Sequence, residues 1–292
     1  MIHENKEEFI GVLENTAKQK PFLLPLLEKD YYITLILSKV NELSGNLIFK
    51  GGTCLNKVYY AYYRLSEDLD FSMALPEYTV TRGVRRKTIQ SVKDNINKFA
   101  QSFGIKIDDS AKPGRNESKQ YVYYLIYPSV LNVPEPKIKF EVGLRYHPLC
   151  PIEKRPIQHS FLHPFTGEPL FNVGEVNCLS LKELIAEKMR AAAIREVIAP
   201  RDFYDLDFVL RNGFDISARD VIELFKKKLA EDEASTDLAK YHINLGRKDQ
   251  EVEDMKSRIE QELFDVLTPI ERKNFNLDSA LKRINDAFKN AK

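Results

Sequence analysis

A surplus of charge of either sign is missing from this sequence: 44 lysines and arginines face 43 aspartates and glutamates, for a formal net charge of +1. That excludes a global cationic field of the kind that gathers polyanions, so any nucleic acid would have to be gripped locally. Cysteine is scarce too. Cys54, Cys150 and Cys178 are odd in number and far apart, which fits neither a disulfide framework nor a C-x-x-C zinc site and points to a reducing compartment. No apolar run approaches the roughly 20 residues a membrane span needs. The opening Met-Ile-His-Glu-Asn-Lys-Glu-Glu lacks the basic region and apolar stretch of a signal peptide. These absences lead to the expectation of a soluble, cytoplasmic protein. Internal repeats and low-complexity tracts are also lacking, and Gly51-Gly52 does not sit in the G-x-x-x-x-G-K-S/T frame of a P-loop.

What is present is an ordinary globular composition, 43% apolar and 30% charged over 292 residues, enough for one large core or two modest ones. Two lobes are expected. Apolar residues at helical spacing (Phe9, Ile10, Leu13; Tyr32, Leu35, Ile36, Val40) predict helices over 7–17 and 26–43, the second stopped at Gly45. Asn46 to Lys50 reads as a short buried strand that turns sharply at Gly51-Gly52, with Thr53 as N-cap of a helix over 54–63. A long basic helix is expected over 81–103, an aromatic strand over 121–127 and an alternating strand over 137–145. Pro148 to Gly174, rich in Pro, His and Gly, reads as a long connection. From Ser180 onward the periodicity is helical, over 181–195, 203–211, 218–229, 251–267 and 277–288. The fold class expected is α+β. A first lobe over 1–174 would hold a small mixed sheet and the N-terminal helices, and a second over 175–292 would be α-helical.

Asp68-Leu-Asp-Phe-Ser-Met73 alternates carboxylate and apolar side chains, which on a strand sends Asp68 and Asp70 to one face and Leu69 and Phe71 to the other. Nucleotidyl transfer needs a divalent ion to bridge phosphate oxygens, and a hard ion such as Mg²⁺ is held by a few carboxylates plus the substrate's phosphates. An Asp-x-Asp strand supplies such a pair. Glu141 is the candidate third carboxylate, with Lys139 and Gly143 as its same-face neighbours. The two glycines before a helix let backbone amides approach a phosphate, and the Thr53 hydroxyl adds a further contact. A lone Asp-x-Asp is most often a solvated strand edge, and a lone Gly-Gly a turn. The ordered combination of strand, Gly-Gly-Thr, helix, Arg64, Ser66, Asp68 and Asp70 is what singles this stretch out.

The run Phe49-Lys-Gly-Gly-Thr-Cys-Leu-Asn-Lys57, followed by Arg64-Leu-Ser-Glu-Asp-Leu-Asp-Phe71, resembles the first motif of the nucleotidyl transferase AbiEii/AbiGii toxin family. That family is a branch of the DNA polymerase β-like nucleotidyltransferases. Glu187-Lys-Met-Arg-Ala191 and Arg201-Asp-Phe-Tyr-Asp-Leu206 resemble its later motifs, so the likeness runs from about Lys50 to Leu210. The resemblance implies Gly52 and Thr53 as the phosphate-binding turn, and Asp68 and Asp70 as metal ligands. It further implies Lys188 as a triphosphate contact and Asp202 as a polar active-site residue. Glu141 stands where related enzymes often have Asp. A nucleoside triphosphate is the implied donor, Mg²⁺ or Mn²⁺ the metal, and an RNA 3′ end such as that of tRNA the acceptor. A cognate antitoxin is the implied partner.

Other residues divide between function and structure. Arg64 suits a phosphate or an ion pair with Glu67 or Asp68, and Ser66 is a hydroxyl beside the acidic strand. Asp205, one turn after Asp202, can pair with Arg201 or serve its own helix. Arg82, Arg85, Arg86 and Lys87 form a basic cluster suited to RNA phosphates, although a solvated face is the commoner cause of such a run. The run Lys226-Lys-Lys228 is read as solvated. His147, His159 and His163 match no zinc spacing, and the alternating tyrosines 121, 123, 124 and 127 read as core more than as a base-stacking platform. The expected activity is metal-dependent nucleotidyl transfer by a toxin. A non-catalytic partner-binding protein of the same fold is the rival, together with transfer to a small molecule or a protein.

Overall fold

A computed structural model describes residues 1–76, 80–289 and 291 and divides the chain into two compact units, Met1–Leu179 and Ser180–Lys292. In the first unit α1 spans Lys6–Gln19 and α2 Leu24–Leu43. The Asn5 side chain caps α1, and Pro25 sits in the first turn of α2, where its missing N–H costs nothing. Strand β1, Leu47–Lys50, runs straight into α3, Gly51–Cys54, which continues over Leu55–Tyr59 with π geometry; Tyr60 N–H donates to Leu55 O at 2.9 Å. Strand β2 is Asp68–Met73. After it come α4, Arg82–Thr88, and α5, Gln90–Gln101, then β3, Lys106–Ile107, and β4, Gly114–Arg115. The longer strands β5, Gln120–Ile126, and β6, Lys137–Gly143, follow, and β7, Glu153–Pro156, and β8, Glu175–Cys178, complete the sheet.

The sheet is mixed, in the order β3-β5-β6-β2-β1-β8-β7, with β4 on β5. Its centre is β2, antiparallel to β1 and parallel to β6. Phe49, Phe71 and Phe140 come from three adjacent strands and stack along one face, ring centroids 5.3 and 4.9 Å apart and all buried. Leu69 and Val142 are buried with them, so the alternation that hides these apolar residues turns Asp68, Asp70 and Glu141 to the other face. The fold is α+β as expected.

Several local expectations are corrected. Thr53 is not an N-cap: the helix begins at Gly51 with Lys50 in the cap position, and the helical backbone ends at Tyr59 rather than Tyr63. The expected helix over 81–103 is two helices that meet at buried Ile89, where the Thr88 hydroxyl donates to Val84 O. The segment 148–174 is not all loop, because β7 lies within it and pairs antiparallel with β8, which joins β1 in parallel.

The second unit is helical: α6 Leu181–Ile194, α7 Pro200–Arg211, α8 Arg219–Glu231, α9 Asp249–Glu262, α10 Pro269–Asn274 and α11 Leu277–Phe288. Helix α6 packs on α8 and α7, and α7 on α11. The Ser180 side chain caps α6 and that of Asn276 caps α11. Buried Lys228 ties α8 to α6 through Glu183 at 2.8 Å and Glu187 at 3.3 Å, so one lysine of the run read as solvated lies inside. No helix among the described residues is long and apolar enough to cross a membrane.

Candidate active site

Strand register builds the carboxylate face. Asp70 is paired with Lys50 of β1 on one side and Glu141 of β6 on the other, while Asp68 is paired with Lys139. Three acidic and two basic side chains therefore share one patch of the sheet. Lys139 Nζ lies 2.5 Å from Glu141 Oε2, and Gln120 Nε2 donates to Glu141 Oε1 at 2.6 Å. These partners hold the Glu141 carboxyl below its usual range despite the opposing effect of burial. Asp70 goes the other way. Burial, then the charges of Glu141 and Asp68, push its carboxyl up to about 6, although Lys50 and Lys139 oppose them.

The glycine turn is shaped by this face. Gly51 has φ +77°, and a Cβ there would come within 2.5 Å of Asp70 Oδ2. A Cβ on Gly52 would lie 2.6 Å from Arg64 Nη2 and 3.2 Å from Ser66 Oγ. The absent side chains thus make room for the Asp70 carboxylate and the Arg64 guanidinium. Arg64 is buried, donates to Leu65 O at 2.8 Å and lies over the Tyr63 ring. The Thr53 hydroxyl bonds Ser66 Oγ at 2.9 Å and the Asp68 carbonyl, which fastens the first turn of the helix to the start of the acidic strand.

Behind the turn, fully buried Lys57 contacts Asp30 Oδ2 at 2.6 Å, Thr34 Oγ1 at 3.0 Å and Tyr62 Oη at 3.2 Å. Tyr62 donates to the same Asp30 oxygen at 2.9 Å and holds φ +58°, a left-handed backbone rare outside glycine. Burial draws the Lys57 ammonium down from its usual range, and Asp30 resists. This network pins the helix after the glycine turn to α2.

In the second unit, Lys188 of α6 stands between two buried aspartates of α7, with Asp202 Oδ1 and Asp205 Oδ2 each at 2.8 Å. The other Asp202 oxygen lies 3.4 Å from Arg195 Nη1. Asp205 pairs with Lys188 rather than with Arg201, the partner suggested by spacing.

A family model described as nucleotidyl transferase AbiEii toxin, type IV TA system, matches residues 36–290. The chain belongs to that family. It is a nucleotidyltransferase toxin of a type IV toxin–antitoxin system. The match extends beyond the 50–210 stretch that carries the recognisable motifs, into helices whose sequence showed nothing diagnostic. Among solved structures, MenT4, a nucleotidyltransferase toxin from Mycobacterium tuberculosis H37Rv, is similar with a TM-score of 0.62 and 20% identity, over 96% of this chain and 88% of that one. JHP933 from Helicobacter pylori gives 0.53 and 17% over 92% of each. At these identities the likeness is one of fold. No curated protein matches the sequence.

Of the residues singled out from sequence, Gly52, Thr53, Asp68, Asp70 and Glu141 come together in the first unit, while Lys188 and Asp202 meet each other in the second. Sequence reasoning did not find Lys50 and Gln120 as neighbours of the carboxylates, because cross-strand register is a non-local property. The family implies a triphosphate donor and, typically, a divalent ion. Among the described residues no three His, Cys, Asp or Glu side chains converge as a metal cage. The donor set nonetheless fits Mg²⁺ or Mn²⁺, which take one or two carboxylates and complete their shell with water and phosphate. An Asp70 pushed toward protonation by burial and by the charges of Glu141 and Asp68 is a place where a cation would be welcome.

Proposed function

We infer that this enzyme transfers a nucleotide from a nucleoside triphosphate to an RNA 3′ end, tRNA being the leading acceptor, at a divalent-metal site on Asp68 and Asp70. The observation that carries the reading is the carboxylate face itself. Asp68 and Asp70 lie side by side next to a glycine turn that admits Asp70, with Glu141 in register beyond. When bound, Mg²⁺ or Mn²⁺ neutralises the donor phosphates and sharpens the acceptor hydroxyl as a nucleophile.

The chain's own residues position and balance charge. Asp68 and Asp70 would hold the metal, with Glu141, bound by Lys139 and Gln120, available as a third carboxylate. Gly52 lines the phosphate turn, and Thr53 keeps the turn and the acidic strand in register through its hydroxyl. Lys188, which the family resemblance makes a triphosphate contact, is held within the second unit by Asp202 and Asp205, and Asp202 is the polar partner that fixes it. The RNA acceptor and the antitoxin come from the family; exposed Arg82, Arg86 and Lys87 on α4 supply a local cationic surface on a chain of near-neutral charge.

The test is incubation with each labelled nucleoside triphosphate, Mg²⁺ or Mn²⁺ and total RNA, followed by separation of RNA, protein and small molecules. Label is expected on RNA. Asp68→Asn and Asp70→Asn are each expected to reduce transfer by on the order of 10²-fold or more while the fold stays intact. Turnover at the wild-type rate in either folded variant would falsify the metal-site assignment, and label on protein or a small molecule would replace the acceptor.

A further inference from the structure

The carboxylate face carries two lysines, Lys139 and Lys50. Lys50 ends β1 directly opposite Asp70, and residues opposite one another in an antiparallel pair project to the same face. It is half-buried and immediately precedes Gly51, against whose backbone Asp70 Oδ2 is seated. Lys139, the other lysine of this face, has a different position, committed to Glu141 at 2.5 Å.

A divalent cation on Asp68 and Asp70 would occupy the same carboxylates whose charge Lys50 balances, and two cations beside one pair of aspartates repel each other. A polyphosphate is the ligand that removes the conflict, because it brings enough negative charge for both. We propose that Lys50 is a binding residue for the donor's phosphates, facing the carboxylates in the free enzyme and passing to the triphosphate when the metal–nucleotide complex enters. This rests on Asp68 and Asp70 being the metal ligands.

The exchange predicts effects of opposite sign from one substitution, which a merely structural lysine would not produce. In Lys50→Met, Mn²⁺ measured alone by electron paramagnetic resonance should bind about threefold more tightly, because a repelling charge is gone. A non-hydrolysable nucleoside triphosphate with Mg²⁺ should bind about tenfold more weakly, and the corresponding nucleoside, which has no phosphates, should bind unchanged. Lys50→Arg should restore most of the triphosphate affinity, and Lys50→Gln should repeat the two opposite shifts. Unchanged triphosphate binding in folded Lys50→Met, or Mn²⁺ and triphosphate affinities moving together, overturns the proposal, as does loss of fold in both Lys50→Met and Lys50→Gln. Asp70→Asn is measured in parallel. Mn²⁺ binding lost there while triphosphate binding is indifferent to Lys50 leaves the metal site standing and removes the Lys50 exchange. Mn²⁺ binding that survives Asp70→Asn removes the metal site and the exchange together.

Discussion

At pH 7 an ionised Asp70 is held where burial, then Glu141 and Asp68, all favour its protonated form, and its pKa of about 6 lies well above the ordinary carboxylate value of 3.8. A carboxyl raised on folding binds its proton more tightly in the native than in the unfolded chain. Its ionisation therefore weakens the fold progressively from about pH 4 to about pH 6, in full above that, and not at all below about pH 4, where both states are protonated. In metal-free buffer, Asp70→Asn should consequently be more stable than the wild type at pH 7.5, by on the order of 1 kcal/mol once solvent screening is allowed for. Denaturant titrations at pH 7.5 and 4.5 check this, and the gain should shrink at the lower pH. An equal gain at both would mean that Asp70 is not strained by ionisation. At this scale the sequence was half legible. Alternation placed Asp68 and Asp70 on one face, since period-two geometry is local. The pairing of Asp70 with Lys50 and Glu141 depends on which strands meet across 20 and 71 residues of chain, respectively.

Elements show the same division between local and distant causes. The two glycines were readable as a turn, but what they make room for was not: side chains returning from Arg64 and Asp70 occupy the space beside them. Gly51→Ala puts a Cβ on a left-handed backbone and against the Asp70 carboxylate, so stability should fall by about 1–3 kcal/mol, and transfer should fall with it if Asp70 holds the metal as proposed. Gly11, inside α1 with nothing within 4 Å of its would-be Cβ, supplies the opposite case. Gly11→Ala should stabilise by roughly 0.5–1 kcal/mol and leave activity alone. Chemical denaturation of both variants decides whether the sign depends on place, as argued. The network behind the turn makes a second demand on the same element. Lys57→Ala leaves the Asp30 carboxylate buried beside Thr34 and Tyr62 without its cation, at a cost of roughly 3–5 kcal/mol. The double substitution Lys57→Met with Asp30→Leu, which removes both charges, should cost less than Lys57→Ala alone, a difference that melting curves resolve. Nothing in the run Leu-Asn-Lys-Val-Tyr announced a buried lysine, because its partner lies in α2, 27 residues earlier.

For the whole molecule, family membership makes a claim about the cell. A type IV toxin expressed without its antitoxin should arrest bacterial growth, and the RNA acceptor proposed above would give the arrest a cause: each turnover on an RNA end would remove one usable molecule, so even slow transfer would accumulate damage. With a net charge of +1, the chain lacks the global cationic field that would gather RNA indiscriminately. The decisive comparison is induction of the wild type and of Asp70→Asn at equal soluble levels, with growth followed by optical density. Arrest by the wild type and growth with Asp70→Asn assigns the toxicity to catalysis at the carboxylate face. Arrest by both assigns it to binding of an essential partner, and the catalytic account of toxicity fails even if transfer is found in vitro. Growth with both, despite soluble protein, contradicts the RNA acceptor and directs the search to a small molecule. Co-expression of the cognate antitoxin adds a further division. An antitoxin that restores growth without reducing label transfer in extracts acts on the damaged RNA, whereas one that abolishes transfer acts on this enzyme.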